Sequence, residues 1–181
     1  MKDRKAILIT GPAGSGKTSL AERIAQNENW IHISEDLYWV EIKKGHPVGE
    51  SRTPEEQRIV QPAVVLQMRA LLSKGNSVVL EFINYENPPQ PLLYYYEELG
   101  KVPCTILVKV LRPSEKIIMA RKKIRNRAND QDYEQGLKNA RRQLACIASS
   151  AIKDEWIIDN SEMTVEEAYA KCFLAFVEGN A

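Results

Sequence analysis

Apolar and polar positions change rhythm many times along this chain. Ala6-Ile7-Leu8-Ile9 is a short apolar run without alternation, the pattern of a strand covered on both faces. A glycine-rich turn follows, and Thr18 to Gln26 then places Leu20, Ala21 and Ile24 on one helical face. Trp30-Ile31-His32-Ile33 reads as a second strand. From Ser34 to Arg52 the periodicity disappears, with Gly45, Pro47 and Gly49 as turn residues, so this stretch reads as a long connection and a working surface. Thr53-Pro54-Glu55-Glu56 signals a helix start, with Thr53 as N-cap, Pro54 at the first position and Glu56 closing a capping box. That helix runs to about Lys74, where Gly75-Asn76 stops it. Ser77 to Phe82 is the next strand. Pro88, Pro89 and Pro91 mark a loop ahead of a short Leu/Tyr helix ending near Gly100. Thr105 to Leu111 is a strand, Pro113 to Arg127 a basic helix, Asn126 to Asp132 a polar break and Tyr133 to Ile152 a further helix. Trp156-Ile157-Ile158 gives the last strand, and Thr164-Val165-Glu166-Glu167 caps a closing helix that ends near Gly179. Strands alternating with helices predict an α/β three-layer domain, a five-stranded parallel sheet with helices on both faces.

Composition narrows the classes. At 181 residues, the chain suits a single domain spanning 1–181. A formal net charge of +1 gives no whole-molecule field pointing to nucleic acid or membrane. Cys104, Cys146 and Cys172 are odd in number, far apart and without histidines at metal spacing, which argues for thiols in a reducing compartment. The charged start, Met1-Lys2-Asp3-Arg4-Lys5, leads into too short an apolar run for a signal peptide. No window approaches a membrane span. The expectation is a cytoplasmic protein, monomer or homodimer, with no membrane partner.

The glycine-rich turn carries the chemistry. Gly11-Pro12-Ala13-Gly14-Ser15-Gly16-Lys17-Thr18 fits G-x-x-x-x-G-K-[ST] and lies between a strand and a helix, the context a phosphate cradle requires. Backbone N–H groups at Gly11, Ala13, Gly14, Ser15, Gly16, Lys17, Thr18 and Ser19, with the positive end of the helix, would bind a polyphosphate. Lys17 would place its ammonium on the β- and γ-phosphates, and Thr18 would offer a hydroxyl to Mg²⁺. Glu81, ending a hydrophobic strand beside the P-loop strand, is the candidate for the metal shell. A GTPase would show Asn-Lys-x-Asp and Asp-x-x-Gly, and neither occurs; large motor or assembly ATPases need a longer chain.

These features resemble the small-molecule kinases of the nucleotide-kinase-like group, which includes gluconate, shikimate and chloramphenicol kinases. The resemblance implies an ATP- and Mg²⁺-dependent enzyme that phosphorylates a hydroxyl of a small molecule, a sugar acid or similar. In Ser34-Glu35-Asp36-Leu37-Tyr38 it implies an acidic residue facing the acceptor hydroxyl. Asp36 is the candidate base and Glu35 its rival, while Asp36 as a simple turn cap is the alternative. Lys43-Lys44-Gly45-His46-Pro47-Val48, followed by Glu50-Ser51-Arg52, is similar to a gluconate-kinase stretch. There Arg52 either forks onto an anionic or polyol substrate or stands as a solvated charge. Phe82 to Asn87 lacks the basic residues gluconate kinases carry in that segment.

Between 112 and 127 stand seven basic residues and one acidic one. The resemblance implies a mobile lid over about 121–132, with Arg121 and Arg125, four residues apart and on one helical face, folding onto the phosphates; a solvated helix face is the alternative. Arg141 and Arg142 are weaker candidates. Asn160 lies where the group's adenine-side loop lies, where it would touch the base or serve a turn approaching the next helix. A nucleic-acid-end kinase and a nucleotide-binding regulatory or toxin-type protein are the alternative readings. Basic residues gathered at the lid, with no aromatic-interleaved track, disfavour nucleic acid as substrate.

Overall fold

Five apolar segments pair into one parallel sheet in the computed structural model, which describes residues 4–42, 54–127 and 130–179. They are β1 (Lys5–Thr10), β2 (Trp30–Ser34), β3 (Ser77–Phe82), β4 (Thr105–Leu111) and β5 (Ile157–Ile158), in spatial order β2-β3-β1-β4-β5. Alternate side chains of β1 serve opposite faces, as a strand's pleat dictates. Ala6 and Leu8 join one core cluster with Val64, Met68 and Leu72 of α3 (Pro54–Ser73) and Leu92, Tyr95 and Leu99 of α4 (Gln90–Gly100). Ile7 and Ile9 join the other with Leu20 and Ile24 of α1 (Lys17–Ala25) and Tyr169 of α7 (Val165–Cys172). β1 is therefore buried on both faces, and its C-terminal end is the base on which the glycine turn stands.

The remaining helices are α2 (Glu35–Ile42), α5 (Glu115–Arg125), α6 (Tyr133–Ile147) and α8 (Leu174–Glu178). The α/β three-layer architecture is as the alternation predicts. Four local readings differ. Residues 35–42, read as part of an aperiodic connection, form α2. Its apolar residues fall around the whole helix, leaving Leu37 exposed and Trp39 buried, so no helical stripe shows in the sequence. α6 stops at Ile147, short of Ile152. Trp156 belongs to a 3₁₀ turn ahead of β5. The closing helix is interrupted at Phe173, whose side chain is buried in the core. Thr53, Arg52 and the Lys43–Val48 motif lie outside the described residues. Among the described residues, no helix is long and apolar enough to cross a membrane.

Two contacts set the platform beneath the turn. Gly11 adopts φ 149°, and a Cβ there would lie 2.5 Å from the Leu111 carbonyl oxygen, so only glycine lets β1 leave the sheet this close to β4. On the other side, buried Asn84 donates to Thr10 Oγ1 (3.0 Å) and accepts from the Leu92 amide (3.2 Å), tying the loop after β3 to β1 and α4.

Glu35 is fully buried at the start of α2 and accepts a 2.6 Å hydrogen bond from the Tyr95 hydroxyl. Burial and the adjacent carboxylate push the Tyr95 phenol well above its ordinary pKa. Replacing Tyr95 with phenylalanine withdraws a donor from a carboxylate that water cannot reach. The expected loss is about 1.5–3 kcal/mol, or roughly 3–12 °C in melting temperature for a chain of this size. Thermal denaturation of Tyr95→Phe checks this; a melting point within a degree of the parent would mean that Glu35 does not depend on the phenol.

Candidate nucleotide site

The turn between β1 and α1 opens beside α1, but two amides expected from sequence to meet phosphate are bonded within the protein, Ala13 to Gln143 Oε1 (2.8 Å) and Ser15 to the Pro12 carbonyl oxygen (3.0 Å). Gly14 and Gly16 adopt φ 91° and 98°, and Gly16 supplies no side chain to cap the helix, so the first amides of α1 stay open to a ligand. Lys17, the first residue of α1, is expected from sequence to stand at a surface turn. It is instead only 7% exposed and folds back, donating to the Gly11 (2.9 Å) and Pro12 (3.0 Å) carbonyl oxygens. Burial lowers its pKa, opposed by the charges of Glu81 and Asp36.

Thr18 and Glu81 meet as their positions suggest. The Thr18 hydroxyl lies 3.0 and 2.8 Å from the two Glu81 carboxylate oxygens. His32, on the neighbouring strand β2, brings Nε2 to 3.4 Å from Glu81 Oε1, a contact too poorly aligned to satisfy that nitrogen as a hydrogen bond. Burial disfavours the Glu81 carboxylate, but His32, the Lys17 charge and the Thr18 hydroxyl outweigh it and hold its pKa below the usual value. A hydroxyl and an ionised carboxylate at an open helix N-terminus are hard oxygen donors suited to Mg²⁺, which takes few protein ligands and keeps several waters. Among the described residues no cluster of three or more His, Cys, Asp or Glu could hold a metal by itself, so the ion would share its shell with ligand oxygens.

Lys17, Thr18 and Glu81 line a cleft of about 490 Å³, within the range of small-ligand sites. Ala13, Gly14, Gly16, Lys17, Thr18 and Ser19 form its phosphate end. Asp36, Glu81, Arg121, Arg125, Arg127 and Asn160 add charge and polarity, and Leu20, Ile124, Met163, Val165 and Ala168 make an apolar wall. Asp36 is exposed at this cleft, whereas Glu35 sits in the core under Tyr95.

Arg121 and Asn160 grip the outside of the turn. Arg121 donates to the carbonyl oxygens of Ser15 (3.1 Å) and Asn160 (2.8 Å), with Met163 at 3.5 Å, and burial lowers its pKa. Asn160 Nδ2 donates to the same Ser15 oxygen at 2.8 Å, while its Oδ1 is buried without a partner. Arg125 forks onto Asp130 at 2.7 and 2.8 Å, and the Arg127 amide also donates to that carboxylate. Burial works against the Asp130 carboxylate, but Arg125, the Arg127 amide and Lys122 bring its pKa below the usual range. Arg141 pairs with Glu115, and Arg142 lies over the Tyr85 ring.

Sequence reasoning missed His32, Asp130 and Gln143. An imidazole in a strand flanked by apolar residues was a usable signal for the first. Gln143, whose Oε1 accepts from the Ala13 amide at 2.8 Å, left none, because its partner is 130 residues away.

The buried Lys17 ammonium carries a sign that can be measured. Its pKa is lower folded than unfolded, so between those two values the unfolded chain binds more protons and stability rises with pH. Lys17→Met should remove that alkaline gain. Thermal melts from pH 7 to 11 for both proteins check this; identical curves would refute it.

Four comparisons with known proteins bear on this geometry. An adenylate kinase from Synechococcus sp. (strain RCC307) is 38% identical over 63 residues, 33% of this chain and 35% of that enzyme. The match thus spans about a third of that relative's length. The tunicamycin resistance protein of Deinococcus radiodurans superposes with a TM-score of 0.71 at 14% identity over 97% of this chain and 96% of that one. A gluconokinase from Sinorhizobium meliloti 1021 gives 0.65 at 18% identity over 100% and 95%. A chain of the Pnkp1/Rnl/Hen1 RNA repair complex gives 0.59 at 17% identity, covering 80% of this chain but only 45% of its own length. At these identities the structural likeness concerns the fold. Residues 7–149 match the family described as AAA domain, and with its P-loop on a five-stranded parallel sheet the chain belongs to that family.

Proposed function

We propose that this protein is an ATP- and Mg²⁺-dependent phosphotransferase that moves the γ-phosphoryl group to a hydroxyl of a small molecule such as a sugar acid. The observation that carries the reading is convergence: Lys17, the Thr18–Glu81 pair, Asp36, Arg121 and Arg125 all line one cleft. The triphosphate lies along the turn, and the Lys17 ammonium exchanges its two carbonyl acceptors for β- and γ-oxygens. Asp36 accepts the proton of the acceptor hydroxyl as its oxygen bonds to the γ-phosphorus and the bond to the β-bridging oxygen breaks, releasing ADP. Arg125 leaves Asp130 for the charge that spreads over the equatorial oxygens. Thr18 and Glu81 would hold Mg²⁺, which would supply charge neutralisation for the phosphates. The apolar wall around Ile124, Met163 and Val165 receives the base, with Asn160 beside it. The lid at about 121–132, with Arg121 as its fixed root on the turn, closes when phosphate charge arrives.

The similarity to a chain of an RNA repair complex favours one second reading, a nucleic-acid-end kinase. A thermal-shift screen with ATP–Mg²⁺ and sugars, sugar acids, nucleosides, antibiotics and 5′-hydroxyl oligonucleotides separates the two. Stabilisation and turnover with oligonucleotides alone would replace the first reading by the second. A response to ATP and to no acceptor would leave a nucleotide-binding regulatory protein.

Asp36→Asn should lower turnover at least a hundredfold while leaving affinity for a non-hydrolysable ATP analogue within threefold, in keeping with the 10²–10⁴-fold typical of general bases. Calorimetry alongside steady-state kinetics measures both, and a collapse of nucleotide affinity would reassign Asp36 to binding. Arg125→Ala should lower turnover by tenfold or more, since arginines on a transferred phosphoryl group are typically worth about 10³–10⁵. Asp130→Asn, which frees the same guanidinium, should tighten nucleotide binding. Equal binding in the parent and Asp130→Asn would show that Asp130 does not compete with phosphate.

A further inference from the structure

The Pro12–Ala13 peptide is held from three directions. Its carbonyl oxygen accepts from the Ser15 amide (3.0 Å) and from Lys17 Nζ (3.0 Å), and its N–H donates to Gln143 Oε1 (2.8 Å). Gln143 projects from α6, is only 5% exposed and lies among the buried residues Ala140, Cys146 and Ile147. A helix face needing only to pack would be served by leucine or methionine; a buried amide there costs stability unless it is hydrogen-bonded. When a triphosphate draws Lys17 to its own oxygens, the Pro12 carbonyl loses one of its two donors. Gly14, next along the turn at φ 91°, offers little resistance to rotation of the adjoining peptides. The Gln143 contact is then the side-chain hold that remains on this peptide plane.

We infer that Gln143 is a positioning residue for the nucleotide. By fixing the Ala13 amide it keeps the amides of the turn aimed at the phosphates after Lys17 has moved. It also ties α6, the helix that leaves the lid segment, to the turn, while Arg121 ties α5, the helix that enters it, to Ser15. Both α5 and α6 are thereby fastened to the turn. The inference rests on the P-loop being a nucleotide site, as proposed above.

The test uses the full chain and two variants. Gln143→Met keeps the length and removes the acceptor; Gln143→Glu keeps an acceptor oxygen. Amide hydrogen exchange at Ala13 and calorimetry with a non-hydrolysable ATP analogue and Mg²⁺ are measured for each. In Gln143→Met, Ala13 exchange should accelerate at least tenfold and analogue affinity should fall about tenfold, with the melting point within a few degrees of the parent. In Gln143→Glu, Ala13 should stay protected. A purely structural glutamine would lower the melting point and leave analogue affinity unchanged, and that result overturns the inference, as does unaltered Ala13 exchange in Gln143→Met. Should Gln143→Met fail to fold, Gln143→Asn withdraws the acceptor by one methylene and is held to the same outcomes. A parent protein that binds no analogue would sink the functional reading instead, while Ala13 exchange would still decide whether the anchor exists.

Discussion

A turn that points its amides inward at an anion must be held from outside when the anion is absent. That constraint organises much of this molecule. Like dipoles converging on one point repel one another, so the turn keeps its shape only if its outward groups are bonded elsewhere. Here the carbonyl of Ser15 is taken by Arg121 and Asn160, those of Gly11 and Pro12 by Lys17, and the amide of Ala13 by Gln143. The anchors come from α5, α6 and the loop after β5, and the sheet brings those elements to the C-terminal end of β1.

The electrostatics follow from the same arrangement. With a net charge near zero, the chain concentrates its field locally, setting Lys17, Arg121, Arg125 and Arg127 along one cleft against Asp36 and Glu81. In the absence of ligand, the cations satisfy themselves on protein acceptors: carbonyl oxygens for Lys17 and Arg121, a carboxylate for Arg125. Arg121 thereby holds the turn, while Lys17 and Arg125 are held by a carbonyl pair and a carboxylate inside the cleft.

Apolar runs and glycine punctuation were enough to read the strands, because a buried parallel strand is a local composition signal. The phosphate turn was legible for the same reason: its geometry demands glycines at fixed spacing. α2 was not legible, since Leu37, Tyr38 and Trp39 make no stripe. Within the site, Lys17, Thr18, Asp36, Glu81, Arg121 and Arg125 could be named in advance, and all of them line the cleft. What they bond to could not be named. Glu35 and Asp36 are neighbours of like charge, yet one lies under Tyr95 and the other at the cleft, a difference made by a helix 55 residues further on. Gln143 acts through a partner that only tertiary packing supplies.

The central position of β1 carries a consequence for biosynthesis. Of these five strands it is made first, but its neighbours in the sheet, β3 and β4, begin at Ser77 and Thr105. The side chains that grip its turn emerge later still, at 121, 143 and 160. At about 5–20 residues per second, a ribosome would keep the most hydrophobic segment of the N-terminal region unpartnered for several seconds. Competence to bind phosphate is then acquired last, and a nascent chain that stalls before Asn160 carries the whole glycine motif without the framework that gives it shape.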